Sequence, residues 1–154
     1  GLDELLMFNP DEITSLPIEK ELLLPIIRAA DPIKYGKASP SKYVLYPYKE
    51  VGDKTVVLSE EELINEYPNA FAYLNQHKER LQQRKDSRKT FADRKDWYAL
   101  TRFGRKTIFN RPKIVSPGEV KGHKFSIDTT GSGFSCARVF AITAENNYPL
   151  TGLM

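Results

Sequence analysis

SEEELINEYPNAFAYLNQHKERLQQR, residues 59–84, decides the class of fold. Ser59, followed three residues later by Glu62, has the form of a capping box. In that motif the serine oxygen takes one orphan amide and the glutamate returns to the serine's own amide. A helix is therefore predicted to begin at Ser59. Pro68 breaks it, and a second helix is predicted from about Asn69 to Arg84. That helix would carry Phe71, Leu74 and Leu81 on one stripe and turn Gln76, Arg80 and Gln83 to water. The flanks read as strand. Upstream, Lys42 to Tyr48 is rich in β-branched and aromatic residues, and Pro47 should close that strand or place it at an edge. Gly52-Asp53 then turns the chain into a second strand, Thr55 to Leu58. Downstream, Pro112 to Val115 reads as a strand, as do Lys124 to Ile127 and Phe134 to Thr143, the last two joined by the glycine turn Thr130-Gly131-Ser132-Gly133. The expected class is α+β: a β-rich fold with a central helical segment, about residues 59–84, flanked by strands.

The rest of the chain is less patterned. A short helix is expected around Leu2 to Phe8, since Pro10 and Pro17 prevent a long one. Glu21 to Ala30 is mostly apolar and leads into a turn, Asp31-Pro32-Ile33-Lys34-Tyr35-Gly36. Lys85 to Asp96 is polar and reads as a long loop or a fraying helical end, and Asp96 to Phe103 as a mixed aromatic segment. There is no internal repeat and no low-complexity tract.

At 154 residues, 40% hydrophobic and 28% charged, the chain has the make-up of one soluble domain. A chain of this length buries about two thirds of its unfolded surface and needs neither metal nor disulfides for a core. A large multidomain enzyme is excluded. Cys136 is the single cysteine, so no intramolecular disulfide forms, which suits a reducing, cytoplasmic compartment. It reads as a small buried apolar residue rather than a catalytic thiol. No apolar run approaches the ~18 residues of a membrane span. The run from Leu22 to Ile27 is interrupted by Pro25 and ends at Arg28, and no signal peptide opens the chain, so no membrane partner is expected. The start at Gly1 rather than Met, and the stop soon after Pro149 and Leu150, suggest a piece of a longer protein.

The formal charge of +3 conceals an asymmetry. Residues 1–66 hold 7 Lys+Arg and 13 Asp+Glu, a net −6, whereas residues 78–113 hold 13 and 4, a net +9; the remainder balances. Such a basic segment attracts polyanions and raises their encounter rate. Phe91, Trp97, Tyr98, Phe103 and Phe109 lie among the cations, and residues that need burial are uncommon in disordered basic tails. A folded basic surface is the expectation.

The sequence carries no recognisable catalytic constellation. His77, His123 and Cys136 have no ligand spacing, so no metal site is expected, and His77 reads as structural. There is no Gly-x-Ser-x-Gly elbow, and Gly131-Ser132-Gly133 lacks the third glycine or the Lys-Ser/Thr of a phosphate-cradling loop. Pro10-Asp11 and Glu19-Lys20 miss the Glu-x-Lys spacing of a Mg²⁺-dependent nuclease. Asn9-Pro10 lacks the second proline and the aromatic of an adenine-methylating loop.

One set of residues carries a resemblance. Tyr46-Pro47-Tyr48, then Glu66-Tyr67-Pro68-Asn69-Ala70-Phe71-Ala72-Tyr73-Leu74 with Lys78, Leu81 and Arg84, is followed by Trp97-Tyr98, Arg102, Phe109, Pro112-Lys113-Ile114-Val115 and the strands around Phe125 and Phe134. Leu24-Pro25-Ile26-Ile27-Arg28 and Asp31-Pro32-Ile33 precede them. The pattern resembles the TaqI-like C-terminal specificity domain, the target recognition domain of type II and type IIG restriction-modification methyltransferases. It covers roughly residues 22–148, leaving 1–21 as a lead-in and 149–154 as the start of a further helical part. The resemblance implies a non-catalytic, sequence-specific DNA-recognition module that positions double-stranded DNA for a methyltransferase domain of the same parent chain. That parent would be an adenine methyltransferase using S-adenosylmethionine, with Mg²⁺ as well where it also cleaves DNA. The fragment itself would hold no cofactor.

Weighed physically, arginine can grip guanine at two acceptors or hold phosphate, whereas lysine acts mainly on phosphate. Arg102, Arg105, Lys106 and Lys113, set between aromatics, rank first as DNA contacts. Arg84, Lys85, Arg88 and Lys89 follow the helix and are expected to hold phosphate, which gives affinity without sequence choice. Trp97 and Tyr98 either stack on a base or sugar or pack the core beneath the basic surface. Tyr46 and Tyr48 read as core or edge-strand residues. The alternative is a non-catalytic protein-interaction domain whose basic face meets an acidic partner; a standalone nuclease is the least favoured reading.

Overall fold

The computed structural model describes residues 3–32, 34–86, 89–101, 106–119, 122, 124–134 and 138–143. Helices and strands mix in the strand-rich α+β manner that the residue pattern predicts. The chain forms two compact units, one of residues 1–23 and 44–103 and the other of residues 24–43 and 104–154. It passes between them three times, twice inside strands, Leu23–Ile27 and Lys42–Leu45, and once after residue 103. The stretch 22–148 that carries the resemblance therefore runs through both. Among the described residues, no helix is long and apolar enough to cross a membrane.

In the first unit the capping box forms as predicted. Ser59 Oγ accepts from the Glu62 amide at 3.2 Å, and Glu62 Oε2 accepts from the Ser59 amide at 2.9 Å. The helix it starts, Glu60–Glu66, ends at Tyr67 because Pro68 has no amide to continue it. Pro68 then opens the next helix, Pro68–Gln76, at the position where a missing N–H costs nothing. The long second helix is interrupted: His77, at φ −106° and ψ 12°, separates it from Lys78–Gln82. Across the break the buried stripe persists, although Ala70 rather than Phe71 occupies its first buried position, with Leu74 and Leu81 behind it. Gln76, Arg80 and Gln83 face water as expected.

Pro47 closes the strand before it, but the hairpin lies further along than the residue pattern suggests. Tyr48–Val51 pairs with Lys54–Val57 around the Gly52-Asp53 turn. Gly52 has φ +59°, the conformation that the first position of such a two-residue turn requires and that glycine adopts freely. At the N-terminus, among the described residues, Asp3–Leu6 is helical and Met7–Phe8 is already extended. Beyond the helices, Lys85–Asp86 and Lys89–Thr90 form a short antiparallel ladder instead of a featureless loop.

The second unit is built on a four-stranded sheet, ordered Val139–Thr143, Lys113–Pro117, Ser126–Asp128, Gly36–Lys37. Here the hairpin expectation is corrected. Ser126–Asp128 and Val139–Thr143 do not pair with each other; each runs antiparallel to Lys113–Pro117, on opposite sides. Between them, Gly133–Phe134 leaves this sheet to pair in parallel with Ile26 and Ile27. The Thr130–Gly133 stretch is thus a connection rather than a hairpin turn. Ile27, Ala38, Val115 and Val139 form the buried core beneath one face of the sheet.

Candidate nucleic-acid interface

Two of the ranked cations lie inside the protein. Arg84, at the end of the helical segment, is 9% exposed and donates from Nε to the Leu81 carbonyl at 2.9 Å and from Nη2 to the Trp97 carbonyl at 2.6 Å. Its guanidinium also sits 4.4 Å from the Phe91 ring centre, as does that of Arg94. Trp97 and Tyr98 are buried too. Trp97 Nε1 donates to Glu60 at 2.5 Å, and the Tyr98 hydroxyl donates to the Leu58 carbonyl at 2.5 Å. Burial, and then the Glu60 carboxylate, push the Tyr98 phenol up to about 12, so at neutral pH it is a hydrogen-bond donor. Together these bonds tie the aromatic segment to the start of the capped helix.

Lys113 is fully buried in the central strand of the second unit, opposite a fully buried Asp128. Its Nζ meets Asp128 Oδ2 at 2.5 Å and donates to the Phe109 carbonyl at 2.7 Å. The carboxylate also accepts from the Thr130 amide and hydroxyl, at 2.9 and 2.5 Å, and from the Ser132 amide at 3.2 Å. Burial opposes ionisation of Asp128, but Lys113 and Thr130 outweigh it and hold the carboxyl below its ordinary range. A fully bonded buried pair of this kind fixes geometry. It pins the loop after Asp128 and the last carbonyl of the short helix Lys106–Phe109 to one point.

Of the other ranked residues, Lys85 is exposed beside the helix end. Arg88, Arg102 and Arg105 lie outside the described residues, as do the side chains of Lys89 and Lys106, and so do His123 and Cys136. His77 sits at the helix break with its ring 4.9 Å from that of Tyr73. No group of three His, Cys, Asp or Glu side chains converges among the described residues.

The first unit has an open groove of 610 Å³ between the start of the capped helix and the aromatic segment. Trp97 forms part of its lining, with the Lys78 ammonium 5.0 Å above the indole. The groove is not a basic channel. Its cations Lys78, Arg94 and Lys95 are matched by Glu60, Asp93 and Asp96, and Arg94 grips Asp96 with two bonds of 2.9 and 2.6 Å.

Positive charge gathers elsewhere. By formal count the first unit holds 12 Lys+Arg and 16 Asp+Glu, a net −4, and the second holds 11 and 4, a net +7. The basic stretch of sequence is divided between the units, and the second recruits Arg28, Lys34, Lys37 and Lys42 from the part of the chain whose sequence count is acidic. Arg28, Lys34, Lys37, Arg111, Lys124 and Arg138 are exposed there. Sequence reasoning missed five of these six and left Arg111 unranked, because only the strand pairing groups residues near 30 with residues near 125.

No protein-family model matches the chain. Over 121 residues, 72% of its length, the chain is 32% identical to the type II restriction enzyme and methyltransferase RM.Eco57I of Escherichia coli. It spans 12% of that relative's length. The chain is thus related to a segment of a restriction-modification protein.

Proposed function

We propose that this chain is the DNA-recognition segment of a restriction-modification adenine methyltransferase, holding double-stranded DNA for a methyltransferase domain elsewhere in the same polypeptide. The observation that carries the reading is the net +7 of the second unit, with six of its cations turned to solvent. Lysines and arginines on such a surface neutralise phosphates and release counterions, which supplies affinity. Base choice then falls to side chains that reach base edges, for which Arg102 and Arg105 are the leading choices, with Lys106 beside them. Lys85, Arg88 and Lys89 serve the phosphates. Arg84, Lys113, Trp97 and Tyr98 act beneath the surface as positioning residues rather than as contacts. S-adenosylmethionine, and Mg²⁺ if the parent also cuts DNA, belong to the part of the parent that does the chemistry, in the cytoplasm with its DNA.

The test is a fluorescence anisotropy titration of the purified protein with duplex DNA across a salt series. Binding should weaken steeply with salt, and replacing Arg102, Arg105 and Lys106 together with alanine should lower affinity and blunt site preference. Unchanged affinity and preference in that variant would remove those three from the interface. No binding by a folded protein at low salt would instead favour a basic face that meets an acidic protein partner.

A further inference from the structure

Tyr35 stands in an unusual place. Its φ is +54°, in the left-handed region that a bulky side chain rarely occupies and pays for in strain. Gly36, next in the chain, could adopt that conformation without cost, yet is not among the glycines with positive φ. The strain falls on the tyrosine and has a visible result: the ring is carried out to solvent, with the residue 55% exposed. The position is fixed, since the Tyr35 amide donates to the Phe125 carbonyl at 3.0 Å and the Ala38 amide to the Ile127 carbonyl at 2.8 Å.

Three lysines lie within two residues of Tyr35 or of its bonded partner Phe125: Lys34, Lys37 and Lys124. Gly36 and Lys37 pair in parallel with Ser126 and Ile127, and Gly36–Lys37 is the last strand of its sheet. Lys34 and Lys124 immediately precede the bonded residues Tyr35 and Phe125, so two cations emerge at the same end of neighbouring strands. Like charges placed side by side destabilise a sheet. Lys34, Lys37 and Lys124 are all exposed, and among the described residues none has an acidic partner within ion-pair distance. The Lys34 ammonium lies 5.5 Å from the Tyr35 ring centre.

A strained, outward aromatic beside cations that have no acidic partner among the described residues costs stability. We propose that Tyr35, Lys34, Lys37 and Lys124 form a DNA contact, in which the lysines take backbone phosphates and the tyrosine ring packs on a deoxyribose or an unstacked base. The inference rests on the DNA-binding reading above and adds to it a specific edge of the second unit.

The test uses the purified protein with duplex DNA. Replacing Lys34, Lys37 and Lys124 with alanine should reduce the slope of log affinity against log salt by about 2 to 3, since each phosphate contact contributes about 0.9. Tyr35→Gly should leave the thermal midpoint unchanged or higher, because it removes the strain, yet weaken binding by about fivefold or more with the salt slope intact. Tyr35→Phe keeps the ring and should bind within about twofold of the parent protein. If DNA binds and the lysine variant keeps the full salt slope, or Tyr35→Gly keeps full affinity, this edge is not a contact. If the unaltered protein binds no duplex at low salt, the DNA-binding reading fails first and this inference with it.

Discussion

Lys113 and Asp128 are each other's condition for being buried. Neither can shed its charge into water, so removing one strands the other in a site with no exposure. Lys113→Met alone should therefore cost about 3–5 kcal/mol, whereas Lys113→Met with Asp128→Leu should recover much of that loss; urea unfolding of the two variants checks the order. A double variant no better than the single one would mean that the Thr130 and Ser132 bonds, rather than charge balance, dominate. The pH dependence follows from the sign of the shift. The folded-state carboxyl is held below its ordinary range, so its contribution is complete above about pH 4 and is lost as the pH falls further, through the depressed folded value. Residue order showed Lys113 only as a cation among aromatics. That it faces inward depends on Asp128, a partner fifteen positions away that strand pairing alone brings opposite it.

At the scale of elements, local chemistry was legible where its partners are local. The Ser59–Glu62 box, the stop at Pro68 and the burial of Leu74 and Leu81 all involve residues within a turn or two of one another. What escaped was supplied from a distance. The amides of Asn69 and Ala70, orphaned at the start of the Pro68–Gln76 helix, are taken by the Glu19 carboxylate at 2.9 and 2.8 Å. Burial works against that charge, but the Asn69 and Ala70 amides prevail and hold Glu19 below its usual range. Glu19→Ala should accordingly destabilise the first unit by about 1 kcal/mol, as loss of a side-chain cap does, and Ser59→Ala by a similar amount. Both can be read from chemical denaturation at pH 7. Because Glu19 and Ser59 cap different helices, their double variant should be close to additive. Strong coupling would show that the two helices form and melt as one piece.

For the whole molecule, the question is whether binding follows total charge or its location. The formal +3 is the sum of a net −4 and a net +7, and that division follows the fold rather than the chain, since each unit is assembled from two separated stretches. It could not be read from a sliding count along the sequence, which assigns Arg28, Lys34, Lys37 and Lys42 to an acidic region. A polyanion responds to the local potential, and cations set among acids lose much of their pull through neutralisation nearby. Two triple variants separate the possibilities. Lys54, Arg80 and Lys95 are exposed in the first unit; Arg28, Arg111 and Arg138 are exposed in the second. Each alanine triple removes three positive charges from the same total. If location governs, the second-unit triple should lower DNA affinity at least several-fold more than the first, and the gap should close as salt is raised and the Debye length shortens from about 10 Å toward 3 Å. Equal losses at every salt concentration would mean that net charge alone steers the encounter, and the basic unit would lose its standing as the DNA-facing surface.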